Sequence, residues 1–184
     1  SSIKKFANYS FDLKDVMSVD IIIICLPTPL DNKNKPNLSH IIEFMEKVKR
    51  FLKKGQTIVL ESTTYPGTTE DIILKKLKDF SIGKNFFLGY SPEREDPGSK
   101  KFNIHNTPKI VSGYTNNCLK IITSLYSKIV KKIVISKNIK NAETTKIFEN
   151  IYRSVNIALV NEMRFLLETL KIDVNEIIDL AKTK

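Results

Sequence analysis

Cysteine is scarce in this sequence: Cys25 and Cys118 are the only two among 184 residues. Neither has a cysteine or histidine at metal-ligand spacing, and the two histidines, His40 and His105, sit in unrelated segments. That argues against a disulfide framework and a cysteine–histidine metal site, so no metal is expected and a reducing, cytoplasmic setting is. No apolar run of about 18 residues or more and no signal-peptide pattern occurs, so no membrane partner is expected. The six glycines are dispersed, and none forms the GxGxxG turn that cradles a pyrophosphate. Internal repeats and low-complexity linkers are missing as well.

Basic charge is in excess. Thirty Lys and Arg against twenty Asp and Glu give a net charge of +10, a field that favours phosphorylated ligands. Such a balance first brings up a nucleic-acid-binding module. The lysines, however, are scattered over polar helix faces, with no aromatic residues interleaved as stacking platforms. A solvated surface of biased composition accounts for them, and no nucleic-acid partner is expected. A hydrophobic share of 41% is that of a globular chain, long enough here for one domain or one domain plus part of another.

The apolar pattern alternates between two periods. Ser1 to Asp20 is polar and turn-like, with a short helical possibility at Leu13 to Ser18. Ile21 to Leu26 is a continuous apolar, β-branched run that reads as a strand covered on both faces. Pro27, Pro29 and Pro36 end it, and Asn37 or Ser39 is placed to cap a helix over Leu38 to Lys53, with Ile41, Ile42, Met45, Val48, Phe51 and Leu52 inward and Gly55 as its stop. Thr57 to Leu60 is a second buried strand and Glu70 to Phe80 a helix. Asn85 to Tyr90 and Pro108 to Val111 are further strands, separated by the long loop Ser91 to Thr107. Asn116 to Val130 is helical and Lys132 to Ile135 a last strand. Strands spaced by helices predict an open α/β layer with a mostly parallel sheet. Near Lys137 to Ala142 strand pattern gives way to helix pattern, over Ile139 to Lys171 and Val174 to Lys182.

Within that helical part, Ile147, Phe148, Ile151, Val155, Ala158, Leu159 and Met163 form a stripe expected to be buried. Lys146 and Asn150, four residues apart, stand on one polar strip beside it. An ammonium and an amide so placed could steady a developing oxyanion, although two ordinary surface residues are the plainer reading of the pair by itself.

Ligands of open α/β sheets bind outside the carboxyl ends of the strands. Three polar loops leave strands at that edge: Pro27-Thr28-Pro29, Glu61-Ser62-Thr63-Thr64-Tyr65-Pro66-Gly67 and Ser91-Pro92-Glu93-Arg94-Glu95-Asp96-Pro97-Gly98. Hydroxyls and free N–H groups there suit phosphates and ribose. Serine, threonine and proline are also simply what loops contain, so each loop alone is weak evidence; the three in order, ahead of the Lys146 helix, are not.

The series CLPTPL, ESTTYPGTTED, SPEREDPG, PKIVSGYT and ETTKIFENIYRSVNIALVNEM resembles the NAD-dependent nucleotide-sugar 6-dehydrogenases, the UDP-glucose and GDP-mannose dehydrogenase family, over Phe11 to Lys184. Within it, ESTTYPGTT and SPEREDPG are most similar to the UDP-N-acetylglucosamine 6-dehydrogenase branch, whose product is a uronic acid used in surface polysaccharides. The resemblance implies NAD as cofactor and a twofold oxidation at C6 of a UDP-sugar, with a cysteine holding the aldehyde and then a thioester. It implies that Thr28 and Pro29 border the adenosine side of NAD and that Ser62, Thr63 and Thr64 line the nicotinamide side. It further implies Glu93 as a base acting through water, Arg94, Glu95 and Asp96 against the sugar nucleotide, Lys146 on the oxyanion, and Asn150 beside it on substrate and water. Thr63, Glu93, Lys146 and Asn150 are thus the candidate catalytic residues. The implied architecture is the later half of a Rossmann-like sheet (residues 1–138), followed by the start of an all-helical central domain (139–184) that mediates homodimerisation.

The departures from the family are as informative. The family's GxGxxG turn is absent, as is its GGHCIP-type segment with the catalytic cysteine, and Cys25 and Cys118 do not stand in that context. Asn37 occupies a position where the branch tends to carry aspartate. The chain is therefore expected to be part of a longer enzyme, with no turnover alone and at best feeble NAD binding. The alternatives are a non-catalytic partner subunit that pairs through the long helix and, further off, the basic nucleic-acid-binding module.

Overall fold

A computed structural model of the chain describes residues 7–94 and 106–183. It divides into two compact units, residues 1–146 and 147–184. The first is built on five strands in chain order: β1 (Ile21–Ile24), β2 (Thr57–Leu60), β3 (Phe87–Tyr90), β4 (Lys109–Gly113) and β5 (Ile133–Ile135). Strands β1, β2 and β3 are parallel and in step, with Ile24 beside Leu60 and Leu60 beside Tyr90, so their carboxyl ends form one row. The exception to the parallel pattern is β4, which runs antiparallel to β3 with Tyr90 opposite Ser112, while β5 is again parallel to β4.

Apolar side chains cover the two faces unequally. On one face Ile22, Ile24, Ile58, Leu60, Leu88 and Tyr90 meet α1 (Ser39–Val48) through Ile41, Met45 and Val48, all of them buried. On the other, Val59 and Val111 meet α2 (Asn116–Tyr126) through Ile122 and Tyr126. Helix α2 lies so close to the sheet that a Cβ on Gly89 would stand 2.3 Å from Ile122 Cδ1, and one on Gly113 2.2 Å from the Leu119 backbone nitrogen. Glycine is what permits that approach. Full burial of an Ile or Leu side chain is worth about 1.5–3 kcal/mol, so these two layers carry the unit.

Several expectations need correcting. The first strand ends at Ile24, not Leu26, and is not covered on both faces: Ile23 is 43% exposed. It lies on the α2 side, and α2 packs over β3 and β4 at the other end of the row. The helix expected to reach Lys53 is α-helical only to Val48, then tightens to a 3-10 turn over Lys49–Phe51. Its stripe is also narrower, since Ile42 is exposed. Asn37 does take up an early N–H, its Oδ1 accepting from Ser39 N at 2.9 Å. The Glu70 to Phe80 segment is largely a π-helical turn, Thr69–Leu74, with Ile73 and Leu77 buried.

Helix α3 runs from Ile139 to Thr169 and crosses the border between the two units; α4 is Val174–Ala181. The expected buried stripe of α3 is exposed: Phe148, Ile151, Val155, Leu159 and Met163 are all open, and Leu167 is the sole buried side chain among the described residues after 146. A single helix hairpin has too little facing surface to cover a 31-residue helix. No helix among the described residues is long and apolar enough to cross a membrane.

Candidate active site

Because β1, β2 and β3 end in register, the residues that follow Ile24, Leu60 and Tyr90 open onto a common cleft of about 490 Å³. Its lining is Cys25, Leu26, Pro27, Thr28, Glu61, Ser62, Thr63 and Glu93. Two hydroxyls sew the first two tips together. Thr28 donates to the Thr63 carbonyl at 2.6 Å, and Ser62 donates to the Leu26 carbonyl at 2.7 Å. Both protons are thereby committed to the frame, which leaves their oxygen lone pairs and the exposed Thr63 side chain for a ligand. Thr64 is buried, as is Tyr90, whose hydroxyl donates to the Ser62 carbonyl at 3.3 Å.

The back of the cleft holds a charged cluster that sequence reasoning missed. Lys109 Nζ lies 3.1 Å from Glu61 Oε1 and 3.3 Å from Glu93 Oε2. It also stands 5.1 Å from the centre of the Tyr126 ring. The Tyr126 hydroxyl donates to Glu61 Oε1, and burial together with Glu61 pushes that phenol well above its usual range. Cys25 Sγ lies 3.8 Å from Glu61 Oε2, and its thiol is raised by burial first and then by Glu61.

A second missed group is Glu143, fully buried near the start of α3. Its carboxylate accepts from Gly67 N at 2.5 Å, Thr69 N at 2.9 Å and Thr69 Oγ1 at 2.7 Å. Burial raises its pKa; the two backbone N–H groups and the Thr69 hydroxyl oppose the rise. This clamp ties the first turn of α3 to the segment that follows Ser62, Thr63 and Thr64.

Of the candidate residues, Thr28, Ser62, Thr63 and Glu93 come together in the cleft. Pro29 is exposed just beyond it. Arg94 is turned toward β4, donating through Nη1 to the Pro108 carbonyl at 2.7 Å. Glu95 and Asp96 lie outside the described residues. Lys146 is half-buried, three residues past Glu143 on α3; Asn150 follows four residues later on the same helix, in the second unit. One signal could have exposed Lys109: it is the charged first residue of a strand that continues with Ile110 and Val111.

A row of parallel strand ends with hydroxyl-bearing loops is the ligand edge of a Rossmann-like fold. Residues 3–130 match the UDP-glucose/GDP-mannose dehydrogenase family, NAD binding domain, and residues 140–184 match the central domain of the same family. The chain belongs to that family, and NAD is the cofactor of the domain it matches. It is 41% identical over 180 residues to protein CapL of Staphylococcus aureus, covering 96% of this chain and 42% of that protein. It is 35% identical to a UDP-N-acetyl-D-glucosamine 6-dehydrogenase of Pseudomonas aeruginosa, covering 96% of this chain and 43% of the relative. The solved UDP-D-ManNAc dehydrogenase of Pyrococcus horikoshii superposes with a TM-score of 0.86 at 32% identity, over 95% of this chain and 42% of that one. The chain thus spans well under half the length of these relatives.

Proposed function

We propose that the protein to which these residues belong oxidises C6 of a UDP-N-acetylhexosamine, UDP-N-acetylglucosamine foremost, to the uronic acid with NAD, for surface polysaccharide. The observation that carries this reading is the meeting of Thr28, Ser62, Thr63 and Glu93 in one cleft at the carboxyl edge of the sheet. The cleft fits the nicotinamide side of the cofactor: two strand tips locked by the Thr28 and Ser62 hydrogen bonds make a fixed floor, with Thr63 open above it. NAD, when bound, supplies the hydride acceptor. In this reading Thr28 and Pro29 border its adenosine side, and Ser62, Thr63 and Thr64 its nicotinamide side.

Glu93, half exposed at the tip of β3, serves as the base that takes a proton from water. Lys146 stabilises the oxyanion, with Asn150 next to it on the helix holding substrate and water, and Arg94, Glu95 and Asp96 face the sugar nucleotide. The border between cofactor domain and central domain is placed at residues 138/139, a reading supported by the two family matches, which end at 130 and begin at 140.

The complete enzyme, given UDP-N-acetylglucosamine, is expected to form two NADH per sugar, read at 340 nm, with the uronate identified by mass. A clear preference for UDP-N-acetylmannosamine would correct the sugar, and no NADH with any UDP-sugar would end the proposal. The 184-residue chain by itself is expected to give no turnover.

A homodimer through α3 is part of the same proposal. Ile151, Val155 and Leu159 are each more than half exposed on that helix, a run of apolar surface that calls for a partner. Sedimentation of the enzyme at twice the monomer mass, reduced by Val155→Glu, is the expected outcome.

A further inference from the structure

The charged cluster behind the cleft has a direction. Lys109 is almost wholly enclosed, its side chain 7% exposed; Glu61 is 11% exposed and Glu93 48%. Enclosing an ammonium is costly unless carboxylates and further polar partners surround it. On its inner side Lys109 meets Glu61, whose Oε1 also receives the Tyr126 hydroxyl and whose Oε2 faces the Cys25 thiol. On its outer side it reaches Glu93 Oε2, while Glu93 Oε1 receives the backbone N–H of Arg94 at 2.7 Å. The lysine is thus held from behind by Glu61 and presents its remaining reach to Glu93, the more exposed of these two cleft-lining carboxylates. Its position at the carboxyl edge is a consequence of β4 running antiparallel, which brings the first residue of that strand beside the ends of the other three.

We propose that Lys109 is a positioning residue: anchored by Glu61 and Tyr126, its ammonium fixes the orientation of the Glu93 carboxylate in the cleft. The role rests on the reading of Glu93 as the base of a sugar-nucleotide dehydrogenase, whereas the cluster itself does not. Lys109 acts through Glu93, which a ligand in the cleft would meet first. Without the lysine, Glu93 loses the ion pair to its Oε2, and the carboxylate is held less firmly in the orientation the cleft presents.

Two measurements separate the cluster from the role. The first uses this chain and needs no activity. Cys25 lies 3.8 Å from Glu61, and its thiol is raised by Glu61 and Glu93 and lowered by Lys109, so its rate of alkylation by iodoacetamide against pH, followed by peptide mass to exclude Cys118, reports on the group. Lys109→Met is expected to move the alkylation midpoint to higher pH and Glu93→Gln to lower pH, with Lys109→Arg close to the parent. Superimposable curves for the parent and Lys109→Met, with both folded by circular dichroism, would overturn the proposal. The second uses the complete enzyme. Lys109→Met is expected to lower kcat about tenfold or more with the KM for NAD held within about twofold, and Lys109→Arg to recover most of the loss. The double variant Lys109→Met/Glu93→Gln should be no slower than Glu93→Gln alone. Losses that multiply in the double variant would show the lysine acting independently of Glu93 and overturn the role. A complete enzyme that forms no NADH would sink the dehydrogenase reading and the role with it, while the thiol result still decides whether the cluster stands.

Discussion

Helix α1 and the second half of α3 carry the same kind of apolar stripe, and only one of them is buried. In α1 the residues Ile41, Met45 and Val48 are sealed against β1 and β2, whereas Ile151, Val155 and Leu159 of α3 stand open. Amphipathic spacing states which face of a helix wants cover. Cover itself comes from a second surface of matching size, and the sheet supplies one for α1. The helical unit, two helices joined by a tight turn with Lys171 at φ 59°, supplies almost none of its own.

Truncating one leucine in each unit tests that contrast most sharply. Leu60→Ala, at a fully buried position, should cost about 2–5 kcal/mol in urea unfolding. Leu159→Ala, 58% exposed, should change stability by about 0.5 kcal/mol or less at concentrations where the chain is monomeric. Equal costs would mean that α3 is covered in solution, and the oligomeric state would then show by what.

Next in size is the clamp at Glu143. Glu143→Ala leaves three buried donors of Gly67 and Thr69 unpaired and should cost on the order of 3 kcal/mol. Its pH dependence has a definite sign. Burial raises the folded pKa above the ordinary glutamate value, so the folded state holds this proton to higher pH than the unfolded state does. The contribution of this group to stability is therefore greatest in acid and falls as pH rises from the ordinary value through the raised one. Glu143→Gln should flatten that part of the stability profile relative to the parent; parallel profiles from urea melts between pH 4 and 8 would contradict the assignment.

A smaller effect belongs to the cap of α4. Asp173 Oδ1 accepts from Asn175 N at 2.9 Å, and Asp173→Ala should cost about 1 kcal/mol, seen as lost helicity confined to residues 174–181 in amide exchange. The smallest belongs to the exposed ion pairs of the sheet unit. Hydrogen bonds from Lys49 and Lys76 hold Glu46 down to about 2, so its stabilisation is present above the usual carboxylate range and lost as pH falls toward that value. Glu46→Gln should remove only that acid-side slope, barely visible at neutral pH because the group is exposed.

Much of the architecture was legible in the residues. Thr57 to Leu60 reads as a buried strand because Thr, Ile, Val and Leu leave no polar face, and all four are buried in β2. The Leu13 to Ser18 turn, α3 and α4 likewise lie close to where the residue pattern put them, and α2 starts at Asn116 as expected but ends at Tyr126, four residues short of Val130. The loops bearing Thr28, Ser62, Thr63 and Glu93 could be assigned to one edge because parallel strands separated by helices share a direction. Lys109 escaped notice for the complementary reason. If β4 ran parallel to its neighbours, its first residue would lie at the far edge of the sheet; the reversal at β3 carries it to the cleft instead. Likewise, no spacing rule pairs Glu143 with Gly67 and Thr69, 76 and 74 residues away.

By itself the sequence determined the element order, the layer type and the family, since these follow from local periodicity, turn chemistry and motif order, all of which are written along the chain. Tertiary structure alone decided the direction of β4, the exposure of Ile23 and of the α3 stripe, and the enclosure of Lys109 between two carboxylates. Each of those depends on which surfaces meet across long separations. A strand or helix records its own polarity, and only its neighbours settle what that polarity faces.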